Sequence, residues 1–229
     1  PESTTFSWVC APCVSLRRAE IFFCPLRGPS RASAAGPLRI MFPMVANLEE
    51  VAQARDLLAE AHRSLEARGV SHLWPVETGI MIEVPAAALL SEQFARQVDF
   101  FSIGTNDLAQ YTLAAERGYA ELTGLADALH PAVLRLIQQV AEAAHRHGKW
   151  AGVCGELAGD PAAAPILTGL GIDELSLNPA GIPRIKQVIR SLDGAAARDL
   201  ADQALALESA PAVRSLATRF LASLKTGST

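Results

Sequence analysis

Residues 78–107 read TGIMIEVPAAALLSEQFARQVDFFSIGTND. Two apolar runs, TGIMIEVPA (78–86) and DFFSIGTND (99–107), flank one helical run, AAALLSEQFARQV (86–98). Neither run alternates polar with apolar residues. A strand apolar throughout belongs in a parallel sheet covered on its faces. The segment is therefore a strand–helix–strand unit, and each strand ends in a polar group: Glu83 in the first, Thr105-Asn106-Asp107 in the second.

The same alternation runs outward in both directions. Upstream, LRIMFPM (38–44) reads as a buried strand ending near a proline, and 47–69 as a helix. Asn47 is placed to cap that helix, with Glu50 three residues on reaching back to its amide. Downstream come a helix over 130–148, with Pro131 at its first position, a strand KWAGVCGE (149–156), a short helix over 160–171 and a strand IDELSLN (172–178). PRIKQVIRSL (183–192) opens a further helix, and 194–224 holds one or two more. The pattern is β/α, either a doubly wound sheet or a (β/α)8 barrel. A whole barrel takes about 250 residues. Only five strands are legible here, so the expected fold is a partial TIM-type barrel without its first strands. The expected division is an irregular or degraded segment, 1–36, ahead of the C-terminal part of the barrel, 37–229. Pro25, Gly28 and Pro29 interrupt any helix in the first segment.

Composition narrows the function classes. Of 229 residues, 50% are apolar and 19% charged, and the net charge is −4. A disordered chain would be more polar. A nucleic-acid binder would show a basic excess or stripe. The longest apolar stretches fall well short of the roughly 20 residues that span a bilayer. Four cysteines are too few for a disulfide scaffold. A cytoplasmic protein is the expectation, with no nucleic acid and no membrane insertion.

Polar residues at strand C-termini mark the rim where barrel enzymes do their chemistry. Glu83 and Asp107 close neighbouring strands and should converge. Two carboxylates there suit an oxygen-ligated divalent cation such as Mg²⁺, completed by water and substrate oxygens; the alternative is a pair of loop acids or helix caps. Cys154 ends the next strand on the same rim, either as inert core or as a reactive thiol. CAPC (10–13) has no second CxxC to complete a zinc site and reads as a chance spacing. The five histidines are scattered, and none accompanies a nucleophile motif.

Longer motifs carry a family resemblance. IMFPMVANLEEV, GIMIEVPAAA, VDFFSIGTNDLAQYTLAAERG, LHPAVLRLI, GKWAGVCGELAGD and IPRIKQVIR resemble the C-terminal phosphoenolpyruvate-binding barrel of enzyme I of the bacterial sugar phosphotransferase system, a module shared with the multiphosphoryl transfer proteins. The resemblance covers about residues 16–226. It implies phosphoryl transfer from phosphoenolpyruvate to a protein histidine, releasing pyruvate. It also implies Mg²⁺ held by Glu83 and Asp107, substrate binding by Asn106 and Arg117, and acid–base work by Cys154. Further implied are a homodimer, a histidine-bearing N-terminal domain and a phosphocarrier protein.

Two departures stand against full activity. The family's Gly-Gly-x-x-Ser-His context does not occur, and SWVCAPCVSLRRAEIF (7–22) has no arginine before Arg17 where a second substrate arginine is expected. Residues 1–14 and about 24–30 fit a reading-frame change or a degraded gene end. Two other functions therefore remain open: an inactive remnant that binds substrate or dimerises, and a stand-alone Mg²⁺-dependent lyase of the wider phosphoenolpyruvate/pyruvate group.

Overall fold

A computed structural model describes residues 7–10, 38–115 and 127–226. Among them, six parallel strands run in the order in which they occur in the chain. These are β1 (Ser7–Cys10), β2 (Leu38–Phe42), β3 (Glu77–Ile82), β4 (Phe100–Gly104), β5 (Trp150–Cys154) and β6 (Glu174–Ser176). A doubly wound sheet would reverse its strand order at a switch point. Consecutive order without reversal is the order of a barrel, here open.

The helices are α1 (Leu48–Ala67), α2 (Pro85–Leu89), α3 (Ser91–Phe94), α4 (Thr105–Leu113), α5 (Pro131–Arg146), α6 (Ala163–Gly169), α7 (Ile182–Arg190), α8 (Gly194–Leu205) and α9 (Ala210–Thr226). The expected capping box opens α1: Glu50 N–H donates to Asn47 Oδ1 at 3.0 Å, and Asn47 N–H to Glu50 Oε2 at 3.2 Å. His130 caps α5 through its Nδ1, 3.1 Å from Ala132 N. Each such cap satisfies backbone donors that the helix cannot.

The structure corrects four expectations. Residues 78–86 carry a strand that stops at Ile82, and the helix expected over 86–98 is two short ones. Thr105, Asn106 and Asp107 do not end a strand; they form the first turn of α4. A sixth strand precedes the five legible in the sequence: β1 pairs with β2 in parallel, Ser7 opposite Leu38 through Cys10 opposite Met41. The open edges among the described residues are thus β1 and β6.

The two faces of the sheet differ. Ile40, Phe42, Ile80, Ile82, Phe101, Ile103, Ala151 and Val153 point to one face and are buried in one core with the helices. Burying such a side chain is worth about 1.5–3 kcal/mol, which holds the helical layer on. Register places the other face in rows. Met41, Gly79, Phe100 and Trp150 share one; Met81, Ser102, Gly152 and Glu174 the next. Phe100 stacks on Trp150 at 4.9 Å, and the Arg39 guanidinium lies 5.1 Å from the Trp150 ring centroid. Arg39 also pairs with Glu77. Burial pushes the Glu174 carboxyl up, while Arg39 pulls it the other way.

Helix α6 packs tightly on α8. A Cβ at Gly169 would lie 2.0 Å from the Ala197 carbonyl oxygen. That atom is backbone and cannot step aside, so Gly169→Ala should cost about 3 kcal/mol, roughly 6–12 °C in Tm for a chain of this size. A thermal melt checks this, and a fall of less than about 2 °C would contradict the packing described.

Candidate active site at the strand C-termini

The last row on the inner face carries the site. Gly104 pairs with Cys154, and Cys154 with Ser176. Glu83 stands one residue beyond the Ile82–Ile103 pair and so falls beside Gly104. The row reads Glu83, Gly104, Cys154, Ser176. Gly104 leaves room for its neighbours: a Cβ there would press on Glu83 Oε2 at 3.0 Å and Met81 Sδ at 3.1 Å. The glutamate thus leans across the neighbouring strand towards the thiol.

Glu83 is only 4% exposed. Its Oε1 accepts a 2.7 Å hydrogen bond from Met44 N–H, and Met44 sits in the left-handed region at φ 55°. A non-glycine residue is rarely found there, and its strain is characteristic of functional sites. A buried carboxylate is costly unless partnered; here the turn after β2 bends to supply a donor.

Asn106 and Asp107 come from the first turn of α4, which starts directly at the end of β4. A carboxylate in the first turn is favoured by the helix dipole. Thr105 is fully buried and donates from Oγ1 to the Cys154 carbonyl at 3.1 Å, tying the start of α4 to the end of β5. Gly155 takes φ 103°, where L side chains are strained, and a Cβ on it would approach Asn106 Oδ1 to 3.2 Å. The chain after Cys154 can therefore pass close over Asn106. Asn106, Cys154, Glu156, Asp160, Ser176 and Asn178 help to line an open cleft of about 520 Å³.

The thiol of Cys154 is held protonated. Burial pushes its pKa up; a hydrogen bond with Ser102 opposes this, and the charges of Glu83 and Asp107 push it up further. The thiol also reaches the Ile103 carbonyl, 3.5 Å from Sγ. Both carboxylates therefore act on one sulfur. Alkylation of Cys154 by iodoacetamide in the metal-free chain, followed by mass spectrometry of its peptide, should rise only at a pH above the range of an unstructured cysteine. Glu83→Gln should move that midpoint down, since it removes a like charge. A midpoint at or below the unstructured value would contradict the burial and the convergence.

The donor set fits a hard cation. Glu83 and Asp107 would supply carboxylate oxygens to it; among the described residues there is no group of three or more His, Cys, Asp or Glu that could hold a metal ion. Mg²⁺ binds in this way, through one or two carboxylates with water and substrate oxygens completing the octahedron.

Four of the five expected site residues, Glu83, Asn106, Asp107 and Cys154, meet at this rim. Arg117 lies outside the described residues, as do Cys13 and Cys24. No histidine lines the cleft. His62 and His72 share a 2.7 Å hydrogen bond, His145 pairs with Asp173 and His147 with Glu92. Sequence reasoning passed over Ser102, Ser176 and Asn178. A period-2 reading from Cys154 and Glu83 would have put Ser102 on the same face, but polar residues inside apolar strands carry no mark of which face they take.

Comparison with known proteins identifies the domain. The family model described as "PEP-utilising enzyme, PEP-binding domain" matches residues 11–194. The phosphoenolpyruvate-protein phosphotransferase of Listeria monocytogenes is 46% identical over 203 residues, covering 89% of this chain and 36% of that protein. The protein of the same name from Haemophilus influenzae is 43% identical over 208 residues, 91% of this chain and 36% of its own. The chain thus spans about a third of the length of the curated relatives it matches. Among solved structures, a citrate lyase from Burkholderia xenovorans aligns with TM-score 0.57 at 18% identity, covering 91% of this chain and 70% of its own. The citrate lyase beta subunit from M. tuberculosis, complexed with oxaloacetate and magnesium, aligns with TM-score 0.50 at 16% identity, covering 83% of this chain and 75% of its own. At such identities these two speak for the fold alone. No described helix is long and apolar enough to cross a membrane. On the strength of the matched domain, the chain belongs to the phosphoenolpyruvate-binding domain family of phosphoenolpyruvate-utilising enzymes.

Proposed function

We propose that this chain is the phosphoenolpyruvate-binding part of a phosphoenolpyruvate-protein phosphotransferase, in which the phosphoryl group passes to a histidine on a separate domain and pyruvate leaves. The observation that carries the reading is the row at the strand C-termini. It sets Glu83 beside Gly104 and Cys154, with Asp107 near enough to act on the same thiol.

Glu83 and Asp107 would hold Mg²⁺. Bound there, the ion would supply charge neutralisation against the phosphate and carboxylate of the substrate. Asn106 and Arg117 would fix the phosphate, the guanidinium through charge-assisted hydrogen bonds. In the transfer, the bond between phosphorus and the enol oxygen breaks and a bond from phosphorus to a histidine nitrogen forms. The enolate left behind takes the proton of the Cys154 thiol at its methylene carbon, giving pyruvate. A thiol whose proton is held by burial and two nearby carboxylates is suited to deliver it to carbon rather than lose it to water.

Residues 37–229, joined on the sheet by β1, form the C-terminal part of the barrel in this reading, and residues 1–14 and about 24–30 are altered relative to the family. The acceptor histidine, the phosphocarrier protein, a homodimer and a cytoplasmic setting belong to the whole phosphotransferase. The chain alone is then a binding unit without turnover. GTNDLAQYTLA and CGELAGD favour this over the lyase reading.

Incubation with radiolabelled phosphoenolpyruvate and Mg²⁺ tests it. The chain alone should acquire no acid-labile, alkali-stable phosphate. Mixed with a separately produced histidine-bearing domain of the family, it should label that domain's histidine. Stoichiometric label on His62, His72, His130, His145 or His147 would overturn the assignment of the acceptor to another domain. No label on the added domain would leave binding without transfer as the function.

A further inference from the structure

Arg214 lies on α9, far in sequence from the rim, yet it clamps two loops at once. Its Nε and Nη2 donate to the two carboxylate oxygens of Asp127 at 2.7 and 2.9 Å, and its Nη1 donates to Asp160 Oδ2 at 2.8 Å. The fork toward Asp127 is bidentate, the geometry in which guanidinium–carboxylate pairs are both strong and directional.

Each aspartate is a local anchor. Asp160 ends the single turn Glu156–Gly159 that follows Cys154 and Gly155, and it lines the cleft with Asn106 and Cys154. Its other oxygen, Oδ1, accepts Ala162 N–H at 2.9 Å, and its carbonyl accepts Ala163 N–H and Ala164 N–H at the start of α6. Asp127 Oδ1 also accepts Leu129 N–H at 2.9 Å, and the Asp127 carbonyl accepts His130 N–H at the cap of α5. Burial alone would push the Asp127 carboxyl up, but Arg214 and the Leu129 amide hold it below the usual carboxylate range.

We propose that Arg214 is a positioning residue of the rim: by holding Asp127 and Asp160 together it fixes the Cys154–Asp160 loop over the cleft and couples the C-terminal helix to substrate binding. Arg214 is 45% exposed, and ion pairs this exposed add little to global stability. Its effect is therefore on where the loop stands rather than on whether the chain folds. Coupling of this kind is reciprocal, so substrate held at the rim also steadies α9. The substrate part of this proposal rests on the phosphoenolpyruvate reading above; the loop part does not.

Two measurements on the full chain, well below the melting temperature of each variant, separate these. Amide hydrogen exchange of peptides covering 155–164 and 127–134 reads the loops directly. Calorimetric titration with phosphoenolpyruvate and Mg²⁺ reads the coupling. Arg214→Ala should speed exchange in both peptides and weaken phosphoenolpyruvate by at least about tenfold, within what a small displacement of a positioned group costs. Arg214→Lys should restore part of each effect, since one ammonium cannot copy a fork that spans two carboxylates. Arg219→Ala, farther along α9 and bonded among the described residues to Ser215, should change neither reading. Asp127→Asn, which leaves Arg214 in place, serves as a second variant should Arg214→Ala fold poorly, and it should show the same pattern at reduced size. Faster exchange in Arg214→Ala with unchanged affinity would overturn the coupling. Unchanged exchange would overturn the proposal entirely. Failure of the unmodified chain to bind phosphoenolpyruvate would count against the functional reading and leave the exchange result to decide the role of Arg214 in the loop.

Discussion

Glu83→Ala is expected to abolish Mg²⁺-dependent binding of phosphoenolpyruvate, and Asp107→Ala to do the same. In the proposed function each carboxylate would supply oxygen to the one cation that offsets substrate charge. The expected loss is at least about 100-fold in affinity, above the range for groups that only support metal ligands. Glu83→Ala also removes the acceptor for Met44 N–H, which could disturb the turn after β2. Glu83→Gln keeps the volume and an acceptor oxygen while removing the charge, and it should lose binding equally. Calorimetric titration of the three variants checks this. Unchanged binding in Glu83→Gln and Asp107→Ala would remove the rim from the account.

The second large effect concerns the chain on its own. Strand number, tilt and stagger are linked in a barrel, and six strands of the observed order do not close one. Among the described residues, β1 pairs only with β2, and β6, three residues long, only with β5. Unpaired strand edges recruit other chains. The inner face adds to this. Trp150 stands on it only half-buried, although Met41 and Phe100 beside it are buried. The chain alone is therefore expected to bind bis-ANS and to run as a self-associated species on size-exclusion chromatography. Adding a fragment that supplies the family's first barrel strands should lower both signals. A monodisperse chain that binds no dye and melts sharply above about 60 °C, the upper range for mesophile domains, would show that the open edges are covered in some other way.

Much of this arrangement was legible in the sequence, and what was not has physical reasons. Strands β2 to β6 announced themselves as apolar runs, and the Asn47–Glu50 box and His130-Pro131 announced helix starts. These are local signals, set by neighbours within four residues. Strand β1 is four residues between a polar start and a Cys-Ala-Pro-Cys run, too short for any period; only its pairing with β2 makes it a strand. The choice between a barrel and a doubly wound sheet depends on strand order, which no local pattern encodes. At the candidate site, Glu83, Asp107 and Cys154 stand out because strand ends collect chemistry in β/α folds, and the family resemblance adds Asn106. FFSIGTND continues the apolar run through Asp107, and nothing in Gly-Thr-Asn-Asp marks where strand becomes helix. Arg214 was invisible for a different reason. Its partners lie 87 and 54 residues away, and one exposed arginine on an amphipathic helix looks like any solvated charge.

The measurement that tests the central claim most directly is a calorimetric titration of the unmodified chain with phosphoenolpyruvate, in the presence of Mg²⁺ and again after chelation by EDTA. The account predicts saturable binding at one site per chain with Mg²⁺ and its loss with EDTA. Absence of binding under both conditions, or binding indifferent to the metal, would contradict the assignment of Glu83 and Asp107 as the carboxylates around which this site is built.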